Sequence, residues 1–230
     1  MNEWPIHKGP VVVLAPHPDD ESLGCGLLLS TLWSAGGKAK VLCLTDGAAS
    51  HPESLSHPPL RLAAIRRKEM HKAIAILGGC PDDVHFLGLP DAQLHRLHEM
   101  RDGLCGSISA LVDDVGATTL VAPSPLDPHC DHEAAAQAAL SVMANCAGLR
   151  LLFYPVWSRW ASDGHVAPVP NGSQPLIWTR GDEALKSAAI EAHASQQGCV
   201  IHDDPSGFAM PEGFATFFAH APELYFEAQR

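Results

Sequence analysis

The hydrophobic and polar positions along this chain of 230 residues predict short strands that alternate with helices. Apolar runs rich in β-branched residues predict buried strands at 11–15, 39–44, 84–87, 119–122 and 149–154. Helical periodicity, often closed by glycine, predicts helices at 22–35, 60–77, 92–112, 132–146 and 182–197. Because strands that alternate with helices require right-handed crossovers, we predict an α/β fold: a Rossmann-like three-layer α/β/α sandwich with a mostly parallel sheet.

The composition supports one core of ordinary size. Hydrophobic residues make up 46% of the chain and no shift in composition divides it, so we expect a single domain over 1–230. The tail after Val200 carries phenylalanines and a tyrosine between 214 and 226, which predicts either more core or an interface. The sequence leaves homo-oligomerisation open.

The charge and the apolar runs limit the class of partner. A formal net charge of -11, with no basic run beyond 66–68, is atypical of nucleic-acid-binding proteins and favours a small neutral or polar ligand. No window approaches the roughly 18 apolar residues of a membrane span, and the first residues do not resemble a secretion signal. The seven cysteines form no C-x-x-C pair, which is typical of a reducing compartment. We therefore expect a cytoplasmic protein without a membrane span.

Two polar motifs carry the candidate chemistry: His17-Pro18-Asp19-Asp20-Glu21 and His129-Cys130-Asp131-His132. They follow the first and fourth predicted strands, and the ends of these strands commonly border the crevice of an open parallel sheet. We therefore expect the motifs to meet. His17, Asp20 and His132 would then supply two imidazoles and a carboxylate to an open zinc site, with a fourth position for water.

Each motif has a structural alternative when it is taken alone. An aspartate before a helix is commonly an N-cap, and a His-x-Asp-His sequence also suits a capped, solvated helix start. Three consecutive acids exceed what a cap needs, however, and they repel one another unless a cation lies among them. Asp131 follows His129 by two residues and could hold its imidazole in one tautomer. Cys130 is the weaker ligand candidate because no second cysteine is near.

These residues resemble the LmbE/PIG-L family of zinc-dependent N-acetylglucosaminyl deacetylases. The similarity extends over about 11–200 and includes Ala15-Pro16-His17-Pro18-Asp19-Asp20-Glu21, Thr45-Asp46-Gly47, Arg66-x-x-Glu69, Phe86-Leu87-Gly88-Leu89-Pro90-Asp91, His129-Cys130-Asp131-His132 and His193-Ala194-Ser195-Gln196. Cys130 replaces the proline usual in the family, which removes a fixed φ but keeps both histidines and the aspartate in register.

The resemblance implies a role for each site residue. His17, Asp20 and His132 would bind Zn2+, although two histidines and a carboxylate also suit Fe2+. Asp19 would be the general base, and His129 with Asp131 would stabilise the oxyanion. Arg66 and Asp91 would face the sugar; alternatively, Arg66 lies on a solvated basic helix face and Asp91 caps a helix. Glu21, Glu69, His193 and Gln196 are expected to support the structure.

The implied reaction is removal of an N-acetyl group from a small N-acetylglucosamine-type sugar conjugate, with release of acetate and a free amine. Bound zinc would lower the pKa of its water from about 15.7 toward roughly 7. One rival function is an amidase of the same fold that cuts a sugar-thiol or another sugar amide. A second rival is a non-catalytic sugar- or nucleotide-binding module, but Gly24-Cys25-Gly26 lacks the third glycine of the dinucleotide-binding motif.

Two irregular segments are predicted to surround the site. The loop at 46–59 is long enough to be a lid; its two histidines, His51 and His57, could bind substrate, but we expect them to be solvent-exposed. The stretch at 155–175 is rich in proline, glycine and tryptophan and is expected to form a rim over the site.

Overall fold

In a computed structural model that describes residues 9–96, 101–161 and 175–229, seven strands form one mostly parallel sheet. The strands are β1 Val11–Ala15, β2 Ala39–Thr45, β3 Val84–Leu89, β4 Thr119–Pro123, β5 Arg150–Tyr154, β6 Leu176–Trp178 and β7 Glu223–Glu227. Their order in the sheet is β3-β2-β1-β4-β5-β7-β6. The first five strands along the chain pair in parallel, whereas β7 is antiparallel to both β5 and β6.

Helices cover both faces of this sheet, as predicted. Alternate residues of β1 enter different cores, because side chains along a strand point to opposite faces. The helices are α1 Asp20–Ser34, α2 Pro59–Ile76, α3 Arg101–Val115, α4 Cys130–Asn145, α5 Trp157–Ala161, α6 Glu183–Ala192 and α7 Phe214–His220. Val13 packs in the core that contains α1, α2, α6 and α7, whereas Leu14 packs in the core that contains α3 and α4. The three-layer α/β/α prediction is confirmed.

Strand order reverses at β1, which has β2 on one side and β4 on the other. The chain runs outward from β1 to β3 in one direction and from β4 to β5 in the other. In such sheets, ligands bind beyond the carboxyl ends of the two strands that flank the reversal. The first polar motif follows β1 and the second follows β4, so both motifs reach this crevice.

Two helices differ most from the bounds predicted for them. The helix predicted at 92–112 does not include 92–96: a short 3-10 helix spans 94–96, and the Asp131 carboxylate accepts the amides of Ala92 and Leu94. The helix predicted to continue to 197 ends at Ala192, and Glu69 accepts the amide of Ser195, a donor that a continuous helix would use. Of the predicted rim at 155–175, α5 lies in the described part, and 162–174 lie outside the described residues.

The aromatic tail belongs to the core, which confirms the first of its two predicted roles. Phe214, Phe218, Tyr225 and Phe226 are all buried. Beside them, the buried Glu223 accepts hydrogen bonds from the amides of 27 and 28 and from Lys186 Nζ. In the part of the chain that the structure describes, no helix combines the length and the apolar character needed to cross a bilayer.

Gly24 allows α1 to pack closely against β5. A Cβ at this position would lie 2.2 Å from Cδ2 of Tyr154, a side chain that is itself fully buried. We predict that Gly24→Ala lowers the free energy of unfolding by about 1–3 kcal/mol, measured by urea denaturation. Gly106→Ala is the matched control, since its added Cβ has open space in α3 and improves helix propensity. Equal stability of the two variants would contradict this packing role.

Candidate functional site

The structure brings the histidines of the two motifs together. The ring centroids of His17 and His129 are 4.6 Å apart, those of His129 and His132 are 5.2 Å apart, and those of His17 and His132 are 5.6 Å apart. One nitrogen from each ring lies within 4.8 Å of the others. His17 is provided by the β1–α1 turn, and the other two histidines are provided by the start of α4. The motifs therefore form one site at the reversal of strand order.

Asp20 Oδ2 lies between the two histidines that the sequence pairs with it. It is 3.2 Å from His17 Nδ1 and 3.3 Å from His132 Nε2. It also accepts the amide of His17 at 2.9 Å, which fixes the turn. Asp20 Oδ2 thus lies near one nitrogen of each of these two histidines, whereas the three imidazoles of His17, His129 and His132 form a second group whose nitrogens lie close enough together to share a cation.

His132 Nε2 is a buried polar atom without a hydrogen bond among the described residues. The other ring nitrogen, Nδ1, lies 2.9 Å from Oδ2 of Asp127, and Asp127 is fixed in turn by the amides of Val156, Trp157 and Ser158. Hydrogen bonding of Nδ1–H to Asp127 leaves the lone pair on Nε2, directed at the site. Such a carboxylate–histidine pair commonly orients a metal ligand. An orphaned nitrogen with this support fits a divalent cation.

Asp127 is a functional candidate that the sequence prediction missed. It lies five residues before His132, in the segment that leaves β4, and its side chain is fully buried. Its position after a strand that ends at the crevice is a usable signal. Nothing in the sequence, however, shows that its carboxylate turns toward His132 rather than to solvent.

Asp131 contacts a different histidine from the one expected. Its Oδ2 lies 3.3 Å from His17 Nε2, and Asp91 Oδ1 lies 3.1 Å from the same nitrogen. The prediction that the Asp131 carboxylate holds His129 is therefore wrong in its geometry. Instead, the Asp131 amide donates to His129 Nδ1 at 3.2 Å. This hydrogen bond assigns the proton of the neutral His129 ring to Nε2.

The electrostatics of the site favour a bound cation. Burial lowers the pKa of His132, but Asp20 and Asp127 outweigh burial and raise it to about 9. The pKa of His17 is likewise raised well above its usual value, because Asp131, Asp20 and Asp91 outweigh burial. His129 behaves oppositely, since burial and its two histidine neighbours lower its pKa to about 4. Buried carboxylates thus stabilise positive charge at His17 and His132, where a metal would supply it.

Asp19 is buried beside this cluster in a strained conformation. Its φ is 150°, which disfavours residues other than glycine, and strain of this kind is typical of functional sites. Its Oδ2 accepts a hydrogen bond from an Arg66 terminal nitrogen at 3.1 Å, and its amide donates to Glu21. Burial raises the pKa of Asp19 to about 6, although the Arg66 charge opposes the rise. Asp19 is therefore a carboxylate that can gain and lose a proton near neutral pH.

Arg66 and Asp91 are buried, and each contacts a side chain of the site. Arg66 is only 3% exposed and also donates to the carbonyls of Pro18 and Gly47, so the alternative of a solvated basic face is wrong. Asp91 accepts the amide of Ala49 in addition to its contact with His17. These contacts place both side chains against catalytic candidates. Direct contact of either with a sugar stays a prediction.

The 46–59 loop is fastened to the chain near 203–208 by hydrogen bonds. Asp203 and Asp204 accept from the amides of 56 and 53, and the amide of Phe208 donates to the carbonyl of residue 50. His51 is buried and His57 is partly buried, so the expectation that both are solvent-exposed is wrong. The loop therefore forms a fixed wall in this structure.

A cavity of about 420 Å³ opens over the cluster. Its polar side is formed by His17, Asp19, Asp20, Arg66, Asp91 and His129. The same cavity also has an apolar wall, which is formed by Trp157, Phe208, Met210 and Phe214. The size lies within the range of about 300–1,000 Å³ typical of small-molecule sites.

Comparisons with known proteins agree with this architecture. The chain is 27% identical over 139 residues to a 2'-N-acetylparomamine deacetylase from Streptomyces fradiae, a match that covers 55% of this chain and 50% of that protein. It is 27% identical over 194 residues to a probable N-acetyl-alpha-D-glucosaminyl L-malate deacetylase 2 from Bacillus anthracis, with 81% and 80% covered. The chain thus spans half the length of the first relative and four fifths of the second.

A solved structure shares the fold. The N,N'-diacetylchitobiose deacetylase from Pyrococcus horikoshii aligns with a TM-score of 0.72 and 20% identity, over 96% of this chain and 84% of that protein. The family profile described as GlcNAc-PI de-N-acetylase matches residues 12–143, which is more than half of the chain. Residues 12–143 contain both polar motifs and the site they form, and on this match the chain belongs to the PIG-L family.

Proposed function

We propose that this protein is a zinc-dependent hydrolase that removes the N-acetyl group from an N-acetylglucosamine-type sugar conjugate. The observation that carries the proposal is the orphaned His132 Nε2, which shares a buried site with Asp20 and His17 next to the strained Asp19. The activities after which two relatives are named, on N-acetylated paromamine and on an N-acetylglucosaminyl malate, support the same class of substrate.

The metal would be held by His17 Nδ1, Asp20 Oδ2 and His132 Nε2, and Fe2+ is the alternative to Zn2+. A divalent cation bound there supplies Lewis acidity: it makes a water molecule more acidic and polarises the acetamide carbonyl. Asp131 and Asp91 would orient His17, whereas Asp127 would orient His132. These carboxylates act through the ligands and need not touch the substrate.

Asp19 would act as the general base. With a pKa of about 6 it is mainly ionised at neutral pH, so it can take a proton from the attacking water. Arg66 holds Asp19 Oδ2 in place by a hydrogen bond and a charge contact. The hydroxide oxygen then bonds to the acetamide carbon, and negative charge develops on the carbonyl oxygen.

His129 would stabilise that oxygen and assist departure of the amine. The Asp131 amide occupies its Nδ1, so Nε2–H is the donor available to the developing oxyanion. The carbon–nitrogen bond breaks as the amine receives the proton that Asp19 took from the water, delivered by Asp19 directly or relayed through the His129 ring, giving acetate and a free amino sugar. The pKa of His129, lowered to about 4 chiefly by burial, keeps its ring neutral before the reaction.

We predict that Asp127→Asn lowers metal affinity by about 10–100-fold, because a neutral amide orients His132 less firmly and makes its Nε2 less basic. Competition with a chromogenic chelator measures this affinity. The exposed Asp82 gives the matched control, Asp82→Asn, which should leave the affinity unchanged. Wild-type metal affinity in Asp127→Asn would refute the orienting role of Asp127.

Acetate release tests the proposed reaction against both rivals. Purified protein should release acetate from at least one N-acetylglucosamine conjugate, and a chelator should stop the release. An amidase of the same fold would cleave a sugar-thiol or another sugar amide instead. A binding module would contain no stoichiometric metal and release nothing. A single domain over 1–230 and a cytoplasmic location stay predictions.

A further inference from the structure

We infer that the pocket selects conjugates whose aglycone, the group attached to the sugar, is uncharged and presents an apolar or aromatic face, and that it disfavours acidic aglycones. This inference rests on the proposed function and narrows its substrate class. Two independent features of the cavity carry it: the apolar wall and, among the described residues, the absence of an available arginine or lysine side chain.

The apolar wall is a continuous aromatic surface. Trp157 packs on Phe214 with ring centroids 5.0 Å apart and on Phe208 at 5.9 Å. Phe214 is fully buried, whereas Trp157, Phe208 and Met210 are partly exposed and line the cavity. Such a surface favours the faces of aromatic groups and other apolar surfaces, because their burial releases water and aromatic rings pair favourably.

Backbone hydrogen bonds fix this wall relative to the catalytic candidates. The amide of Trp157 donates to Asp127, the carboxylate that also contacts His132. On the other side, the amide of Phe208 donates to the carbonyl of Ser50, and the amide of Met210 donates to the carbonyl of Gln196. Side chains held in this way need little ordering when a ligand binds, which favours affinity.

No free cation faces the cavity from the described residues. Among the described residues that line the cavity, Arg66 is the one arginine or lysine. Its guanidinium already contacts Asp19 and the carbonyls of Pro18 and Gly47. Its Nε is completely buried and lies close to Gly47. The sequence from 162 to 174 contains no lysine or arginine either. A phosphate or carboxylate on the aglycone would therefore lose water without gaining an ionic partner.

Acidic groups lie near the cavity as well. Asp91 lines it, and Asp203 and Asp204 fasten the adjoining loop. The whole chain carries a formal net charge of -11. These acidic groups therefore offer an anionic aglycone no compensating charge, whereas a neutral aglycone needs none.

Binding of product-like sugars tests the inference without requiring turnover. The probes are phenyl glucosaminide and malyl glucosaminide of the same anomeric configuration, which carry a free amine and cannot be deacetylated. Calorimetry on the metal-loaded protein should show the phenyl compound bound about tenfold or more tightly than the malyl compound. Equal affinities, or tighter binding of the malyl compound, would overturn the inference.

Two variants locate the preference in the wall. Phe208→Ala should weaken binding of the phenyl compound about tenfold and leave unsubstituted glucosamine unaffected, whereas the matched control Phe217→Ala, outside the cavity lining, should change neither. Met210→Lys should improve binding of the malyl compound by placing a cation in the wall. An unchanged preference in both Phe208→Ala and Met210→Lys would overturn the assignment. Failure to release acetate from any N-acetyl sugar would refute the proposed function separately.

Discussion

Replacing Asp19 by asparagine is expected to lower kcat for acetate release by about 100-fold or more and to leave the metal content unchanged. Asparagine keeps the size of the side chain and tolerates positive φ better than most residues, so the change removes the base with little effect on the strained turn. The amide cannot accept the proton of the attacking water. Steady-state kinetics and metal analysis of the same preparation measure the two effects together.

The matched control is Asp114→Asn, at an exposed position of α3, which should retain wild-type kcat and metal content. An Asp19→Asn enzyme with full activity would remove Asp19 from the mechanism. Loss of metal in this variant would instead indicate that Asp19 contributes to binding the ion.

The second large effect concerns the metal ligands. His132→Ala is expected to remove stoichiometric metal and to abolish measurable turnover, because its buried Nε2, which makes no hydrogen bond among the described residues, would supply a metal-binding lone pair. His129→Ala is expected to retain the metal and to lose about 100-fold or more in kcat, since it removes only a hydrogen-bond donor to the oxyanion. Metal analysis after gel filtration, together with acetate release, separates the two histidines.

His129→Ala and Asp20→Asn together decide between two ligand sets. The nitrogens of His17, His129 and His132 lie close enough together to share an ion without Asp20. If that set were correct, His129→Ala would lose the metal and Asp20→Asn would keep it. The exposed His220 provides the control, His220→Ala, which should leave metal and turnover unchanged.

The sequence predicted the layers of the fold and the meeting of the two motifs because both depend on local patterns. Apolar runs and helical periodicity predict a parallel sheet, and its strand order brings the ends of β1 and β4 together. The position of His132 beside His17 follows from that order. Neither result requires knowledge of how a particular side chain is oriented.

The contacts of individual carboxylates could not be predicted in the same way. Asp131 is two residues from His129 in the sequence, yet its carboxylate turns toward His17 and toward the amides of the 92–94 segment. Asp127 supports His132 through a turn that also involves 156–158. The contacts of both carboxylates depend on which backbone amides a loop leaves unpaired. Loop geometry in turn follows from tertiary packing rather than from residue spacing.

Arg66 illustrates the same limit. On a helical wheel it belongs to a basic cluster that favours solvent, but the fold buries it against the turn that holds Asp19. A charged side chain is stable there only because a carboxylate and two carbonyls receive its donors. The burial of the turn, rather than the pattern of the helix, determines this role.

The proposed reaction depends on one divalent cation bound by His17, Asp20 and His132. Anomalous X-ray diffraction from crystals of the metal-loaded protein tests it most directly. We predict a single strong anomalous peak about 2.0–2.2 Å from His17 Nδ1, Asp20 Oδ2 and His132 Nε2. A peak bound by other side chains, or no peak among these three atoms in protein that actively releases acetate, would contradict the claim.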